Sequence, residues 1–90
     1  MLYLISYDLK DPGQNYQKLQ SAIKGLGISW CHLLESTWVI NTAFDARYIT
    51  NYLRRNMDTN DFLFVVEISK KDRNGFLPQE AWHWLDQYDI

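Results

Sequence analysis

Ninety residues leave room for one domain, because a second hydrophobic core would not fit in so short a chain. A content of 47% hydrophobic and 22% charged residues, with only two Pro and four Gly, excludes a disordered or low-complexity chain. The net charge of −2 excludes a general nucleic-acid coat protein, which needs a positive surplus against phosphate, but leaves room for a local basic patch.

Aromatic residues make up 16% of the chain, including four Trp and six Tyr, and such side chains both fill cores and favour interfaces. Cys31 is the only cysteine, so no internal disulfide forms, and a reducing cytoplasm is the expected compartment. The opening Met-Leu-Tyr-Leu-Ile run lacks a basic flank and meets Asp8 too soon for a signal peptide. No run approaches the ~20 apolar residues of a membrane span.

Residues 2–9 predict a first strand, with Tyr3, Ile5, Tyr7 and Leu9 on one side and Leu2 and Leu4 on the other. Apolar residues on both sides place a strand inside a covered sheet. Asp11-Pro12-Gly13 ends it with turn chemistry. Tyr16, Leu19, Ile23 and Leu26 then recur at helical spacing beside Ala22, and Gly25 and Gly27 mark the helix end.

Residues 28–34 and 37–42 predict two strands, with Glu35-Ser36 near the turn between them. Asp45 is a candidate N-cap for a second helix, whose stripe is Ala46, Ile49, Leu53 and Met57. Residues 61–69 predict a fourth strand, again apolar on both sides: Phe62, Phe64, Val66 and Ile68 alternate with Leu63 and Val65. A basic loop with an Asn-Gly turn follows over residues 70–75. Pro78 suits the first position of a last helix, on which Ala81, Trp84, Leu85 and Tyr88 share a face and Trp82 lies off it.

The order β-α-β-β-α-β, then α, predicts an α+β fold of ferredoxin-like type. It has a four-stranded antiparallel sheet, two helices on one face, and an extra C-terminal helix. Residues 1–69 form the ferredoxin-like domain, and residues 70–90 add a loop and helix to that domain or to a dimer interface. The first and fourth strands become neighbours. Two helices cover one face only, while the first and fourth strands are apolar on both. The C-terminal helix or the sheet of a second subunit must cover the rest. The expectation is a homodimer with the Trp-bearing tail contributing.

Strand one, Met1 to Leu9, resembles the opening of the small CRISPR-associated adaptation protein that bridges two integrase dimers, in which a short strand ending in Tyr-Asp opens a ferredoxin-like domain. Ser6-Tyr7-Asp8-Leu9, Pro12-Gly13, Tyr16 with Leu19, and Ser36-Thr37-Trp38 resemble the SinR-like members, which share that superfamily with the VapD toxins. The resemblance covers about residues 1–69. It implies that Asp8, ending strand one, could bind a divalent ion at a dimer interface, as in metal-dependent nucleases of the superfamily. The CRISPR members follow that aspartate with arginines in the loop and first helix. This chain has Lys10 and Lys18 but no arginine before Arg47.

Two readings of Asp8 stand side by side. Paired across a two-fold axis, it is a ligand for Mg²⁺ or Mn²⁺, which favour hard oxygen donors. Alone, its carboxylate bonds the backbone of the following turn. Ser6 lies on the same strand face, either orienting that carboxylate or simply filling space. The basic candidates for nucleic acid are Lys10, Arg47, Arg54, Arg55, Lys70, Lys71 and Arg73, with Asp45, Asp58, Asp61 and Asp72 interspersed as on an ordinary wet surface. His32 reads as a packed or partly exposed structural side chain, His83 as solvated, and Cys31 as a small strand residue. No His-x-x-x-His or Cys-x-x-Cys spacing supports zinc. The loop over residues 11–15 has one glycine and lacks the Walker pattern of a phosphate loop. The resulting expectation is a dimeric module associated with nucleic acid or protein. The alternative is a metal-dependent endonuclease acting on RNA or DNA through Asp8. Acyl-phosphate hydrolysis ranks last, because no arginine-bearing anion loop follows strand one.

Overall fold

Period-two alternation at the N-terminus produces β1 (Leu2–Asp8), and the later alternating runs give β2 (Ser29–Leu34), β3 (Thr37–Asn41) and β4 (Phe62–Ile68). The helical spacings give α1 (Tyr16–Leu26), α2 (Ala46–Arg54) and α3 (Gln79–Asp86). The computed structural model describes residues 1–11 and 16–88, so Pro12 and Gly13 of the expected first turn, and the rest of that loop through Asn15, lie outside the described residues. Among the described residues no helix is long and apolar enough to cross a membrane.

The strands form one antiparallel sheet in the order β2-β3-β1-β4. β1 lies between β3 and β4, so the first and fourth strands are neighbours as expected. Each β-α-β unit leaves space for one strand: β3 sits between β1 and β2, and β1 sits between β3 and β4.

Register decides which side chains meet. Tyr3, Ile5 and Tyr7 share a face with Trp38 and Ile40 of β3 and with Leu63 and Val65 of β4. Against that face pack Leu19, Ala22, Ile23 and Leu26 of α1 and Ile49 and Leu53 of α2, with Ala46 and Met57 at its margin. Both main helices therefore lie on one side of the sheet. Leu2, Leu4, Val39 and Ile68 point to the other side, where α3 returns to cover part of the sheet with Leu85. Trp82 packs there too, half-buried, although the helical stripe had placed it outside. The returning segment wraps more of the helix than one stripe, because Leu77 and the loop before it close over the same side.

Polar contacts fix the element ends. Asp45 caps α2 as its sequence position predicts, its carboxylate accepting from Tyr48 N at 2.8 Å. Buried Thr42 donates from Oγ1 to Leu26 O at 3.0 Å, satisfying a carbonyl at the end of α1, and accepts from Phe44 N at 3.2 Å. Gly27 is needed for space, since a Cβ there would lie 2.7 Å from Ser29 O and 3.0 Å from Ile40 Cβ. A register shift between His32 and Leu34 interrupts the β2–β3 ladder there, with Leu33 packed on the α3 side like Val39 and Leu34 exposed.

Two buried polar groups depart from the expected wet surface or plain apolar core. Asp61 was grouped with the surface carboxylates, yet it is only 6% exposed. Oδ1 accepts from Lys10 N at 2.9 Å and Oδ2 from Asp58 N at 2.8 Å. It ties the end of β1 to the entry of β4. Between the sheet and α1, the Trp38 indole N–H donates to the Tyr7 hydroxyl at 3.2 Å. Burial pushes the Tyr7 phenol up to about 12.

Asp61→Ala leaves two backbone N–H groups without their acceptor and is expected to lower stability by about 1–3 kcal/mol in urea unfolding. Tyr7→Phe strands the Trp38 N–H and costs about 1–3 kcal/mol near neutral pH. The folded-state phenol lies above its ordinary value of 10.0, so its protonated form contributes stability that is complete below 10 and lost as pH rises through about 12. The penalty of Tyr7→Phe is therefore expected to shrink across that interval when unfolding is measured at stepped pH.

Candidate functional site

The end of the sheet away from α3 is built by β1 and β4. Asp8 stands opposite Phe62 and Ser6 opposite Phe64, all on the α3 side of the sheet. This side is left bare here: Phe62 and Phe64 are each 64% exposed, and Asp8 is exposed beside them. With Tyr7 and Leu63 they border a shallow hollow of about 250 Å³. The Lys10 ammonium lies over the Phe62 ring, 5.1 Å from its centroid, a cation–π arrangement. Ser6 Oγ shares a hydrogen bond with Thr37 Oγ1 at 3.2 Å, which links β1 to β3.

These neighbours limit what Asp8 can do in one chain. It brings a single carboxylate, and Ser6 is already engaged. No group of three or more His, Cys, Asp or Glu able to hold a metal occurs among the described residues. Mg²⁺ and Mn²⁺ favour oxygen donors, and Asp8 offers one exposed carboxylate per chain at this end of the sheet.

The basic candidates fall into separate sets. Arg47 and Arg54 are exposed on α2, with Arg55 at its C-cap, in the helical layer. Lys71 and Arg73 border a cleft on the opposite side of the sheet, close to Lys70 in sequence. Lys10 belongs with Phe62 at the bare end. The sheet stands between the α2 arginines and the cleft, so the seven residues do not form one phosphate-binding stripe.

His32 stacks on Trp38, with ring centroids 4.0 Å apart and planes 11° from parallel, and its Nε2 meets Glu35 O at 2.9 Å. It is a packing residue at the β2 edge. His83 is exposed on α3. Cys31 is half-buried, and burial pushes its thiol up, away from the reactive thiolate form.

Sequence reasoning missed Asp61 and the exposed phenyl rings. The polar turn Asp58-Thr59-Asn60-Asp61 carried the first signal, since aspartates in such turns bond nearby backbone N–H groups. The second had none, because an alternating run does not reveal where a distant helix stops covering it.

No family model matches the chain, and no curated protein matches it. Among solved structures it is similar to the crystal structure of a hypothetical protein, TT1823, from Thermus thermophilus. The likeness has a TM-score of 0.61 and 23% sequence identity, over 86% of this chain and 93% of that one, and is one of fold.

Proposed function

We propose that the chain is a cytoplasmic homodimeric binding module of the CRISPR-adaptation type, ferredoxin-like in fold, whose twin docks on the bare end of the sheet. The strand order read from the other edge, β4-β1-β3-β2, with one strand inside each β-α-β unit, supports the ferredoxin-like reading. The observation that carries the dimer is the pair of phenyl rings, each 64% exposed, on a sheet face that α3 leaves uncovered. Burying one phenyl side chain contributes about 1.5–3 kcal/mol, and a two-fold contact buries two from each chain. Asp8 and Lys10 flank the rings with opposite charge, so a second copy in reversed orientation sets a carboxylate beside a lysine. A nucleic-acid strand on the same rings would meet the Asp8 carboxylate, which favours a protein surface as the occupant.

The runner-up is a metal-dependent endonuclease using Asp8 from both chains, favoured by the exposure of Asp8 at this same seam. The single carboxylate per chain and the hydrogen-bonded Ser6 argue for binding rather than turnover.

Sedimentation of the purified protein at micromolar concentration is expected to show a dimer, and Phe62→Ser with Phe64→Ser a folded monomer. A wild-type monomer, or a dimer indifferent to both changes, overturns the reading. In assays of RNA and DNA cleavage with Mg²⁺ or Mn²⁺, wild type and Asp8→Ala are expected to match. Cleavage that disappears in Asp8→Ala would install the endonuclease instead.

A further inference from the structure

A second site lies on the same side of the sheet but under α3, apart from the phenyl rings. It is a cleft of about 470 Å³, within the range of roughly 300–1,000 Å³ typical of small-molecule sites. Leu4, Val39 and Ile68 form its floor, and Leu77, Trp82 and Leu85 close it from above. Leu4 and Ile68 stay only half-buried although they belong to paired strands, because the returning helix does not fill the space over them.

The polar side of the cleft comes from the segment after β4, with Lys71, Asp72 and Arg73. The Arg73 side chain is 20% exposed, and its Nη2 donates to Asp86 Oδ1 at 3.2 Å. Its Nη1 is sealed from solvent and finds no acceptor among the described residues. Buried donors of a charged group almost always have a partner. An incoming oxygen can supply it after a small rotation of the side chain. Lys71 and Arg73 are balanced by Asp72 and Asp86, so these groups hold no surplus of positive charge for a dianion, whereas a single negative charge suits one vacant donor.

We propose that this cleft binds a small amphipathic monocarboxylate, its apolar body between the sheet floor and Trp82 and its carboxylate on Arg73. The site is independent of the dimer seam. It explains why an apolar floor, an incompletely closed helix and an unanswered guanidinium nitrogen occur together.

The test is an NMR titration of the full chain with sodium decanoate, and in parallel with 1-decanol, to about 1 mM. Saturable shifts are expected at Leu4, Ile68, Leu77 and the Trp82 indole, with decanol about tenfold weaker, as the loss of one charge-assisted hydrogen bond implies. Arg73→Gln is expected to bring decanoate down to the level of decanol and to leave decanol itself unchanged. Leu33→Trp, which fills the cleft from β2 and keeps Arg73, is expected to block both. That variant keeps the claim testable if Arg73→Gln does not fold. Equal binding of decanoate and decanol, shifts centred on Phe62 and Phe64, or no saturable shift overturns the proposal. The last result is also what a second copy or the chain's own residues closing the cleft would produce.

Discussion

A sheet that is apolar on both faces needs cover on both, and this chain carries helical surface for only part of the second. α1 and α2 dry most of one face, leaving Ile5 and Ile40 of the two inner strands with no exposure. On the other face α3 reaches Leu2 and Val39 and stops short of Phe62 and Phe64. Each functional feature follows from that shortfall. Where α3 arches over the sheet without filling the space there is a cleft, and beyond it there are two bare phenyl rings. Large exposed apolar patches on small proteins mark places of contact, because leaving them in water forgoes the main driving force of association.

Buried polar groups hold this arrangement in place. Asp61 joins the end of β1 to the start of β4, and so sets the relative position of Asp8 and Phe62. The Trp38–Tyr7 hydrogen bond gives the one polar edge of a large indole a partner inside the main core. Thr42 joins the end of α1 to the segment entering α2, with its hydroxyl both donating and accepting. Such groups add modest net stability when paired but cost much when stranded, so they select one register over its neighbours. The bare end of the sheet is thereby a shaped surface rather than a frayed margin.

The elements themselves were legible. Alternation gave the four strands to within a residue or two, and the 3.6-residue stripe gave α1 from Tyr16 to Leu26, although Gly25, read as an end signal, lies inside the helix and only Gly27 follows it. Asp45 acted as the cap its position predicts because capping is local chemistry. What escaped was non-local. Asp61 looked like one more surface carboxylate, and only the approach of Lys10 N, fifty-one positions earlier in the chain, makes it a buried clasp. Trp82 lay off the helical stripe, but the loop before α3 wraps the helix and gives that flank an apolar neighbour. The shift near Leu33 is invisible in a pattern of alternating apolar residues. Arg47 and Arg73 read alike as charges, and the sheet between them decides that they serve different surfaces.

The central claim is that a second copy of the chain completes the cover of this sheet at Phe62 and Phe64. An isotope-filtered NOE experiment on an equimolar mixture of labelled and unlabelled protein addresses it most directly. The account predicts intermolecular contacts from the protons of both phenyl rings to the β1 and β4 residues around Ser6 and Asp8. Rings that show only contacts within their own chain, or intermolecular contacts confined to the α1 and α2 side, would contradict it.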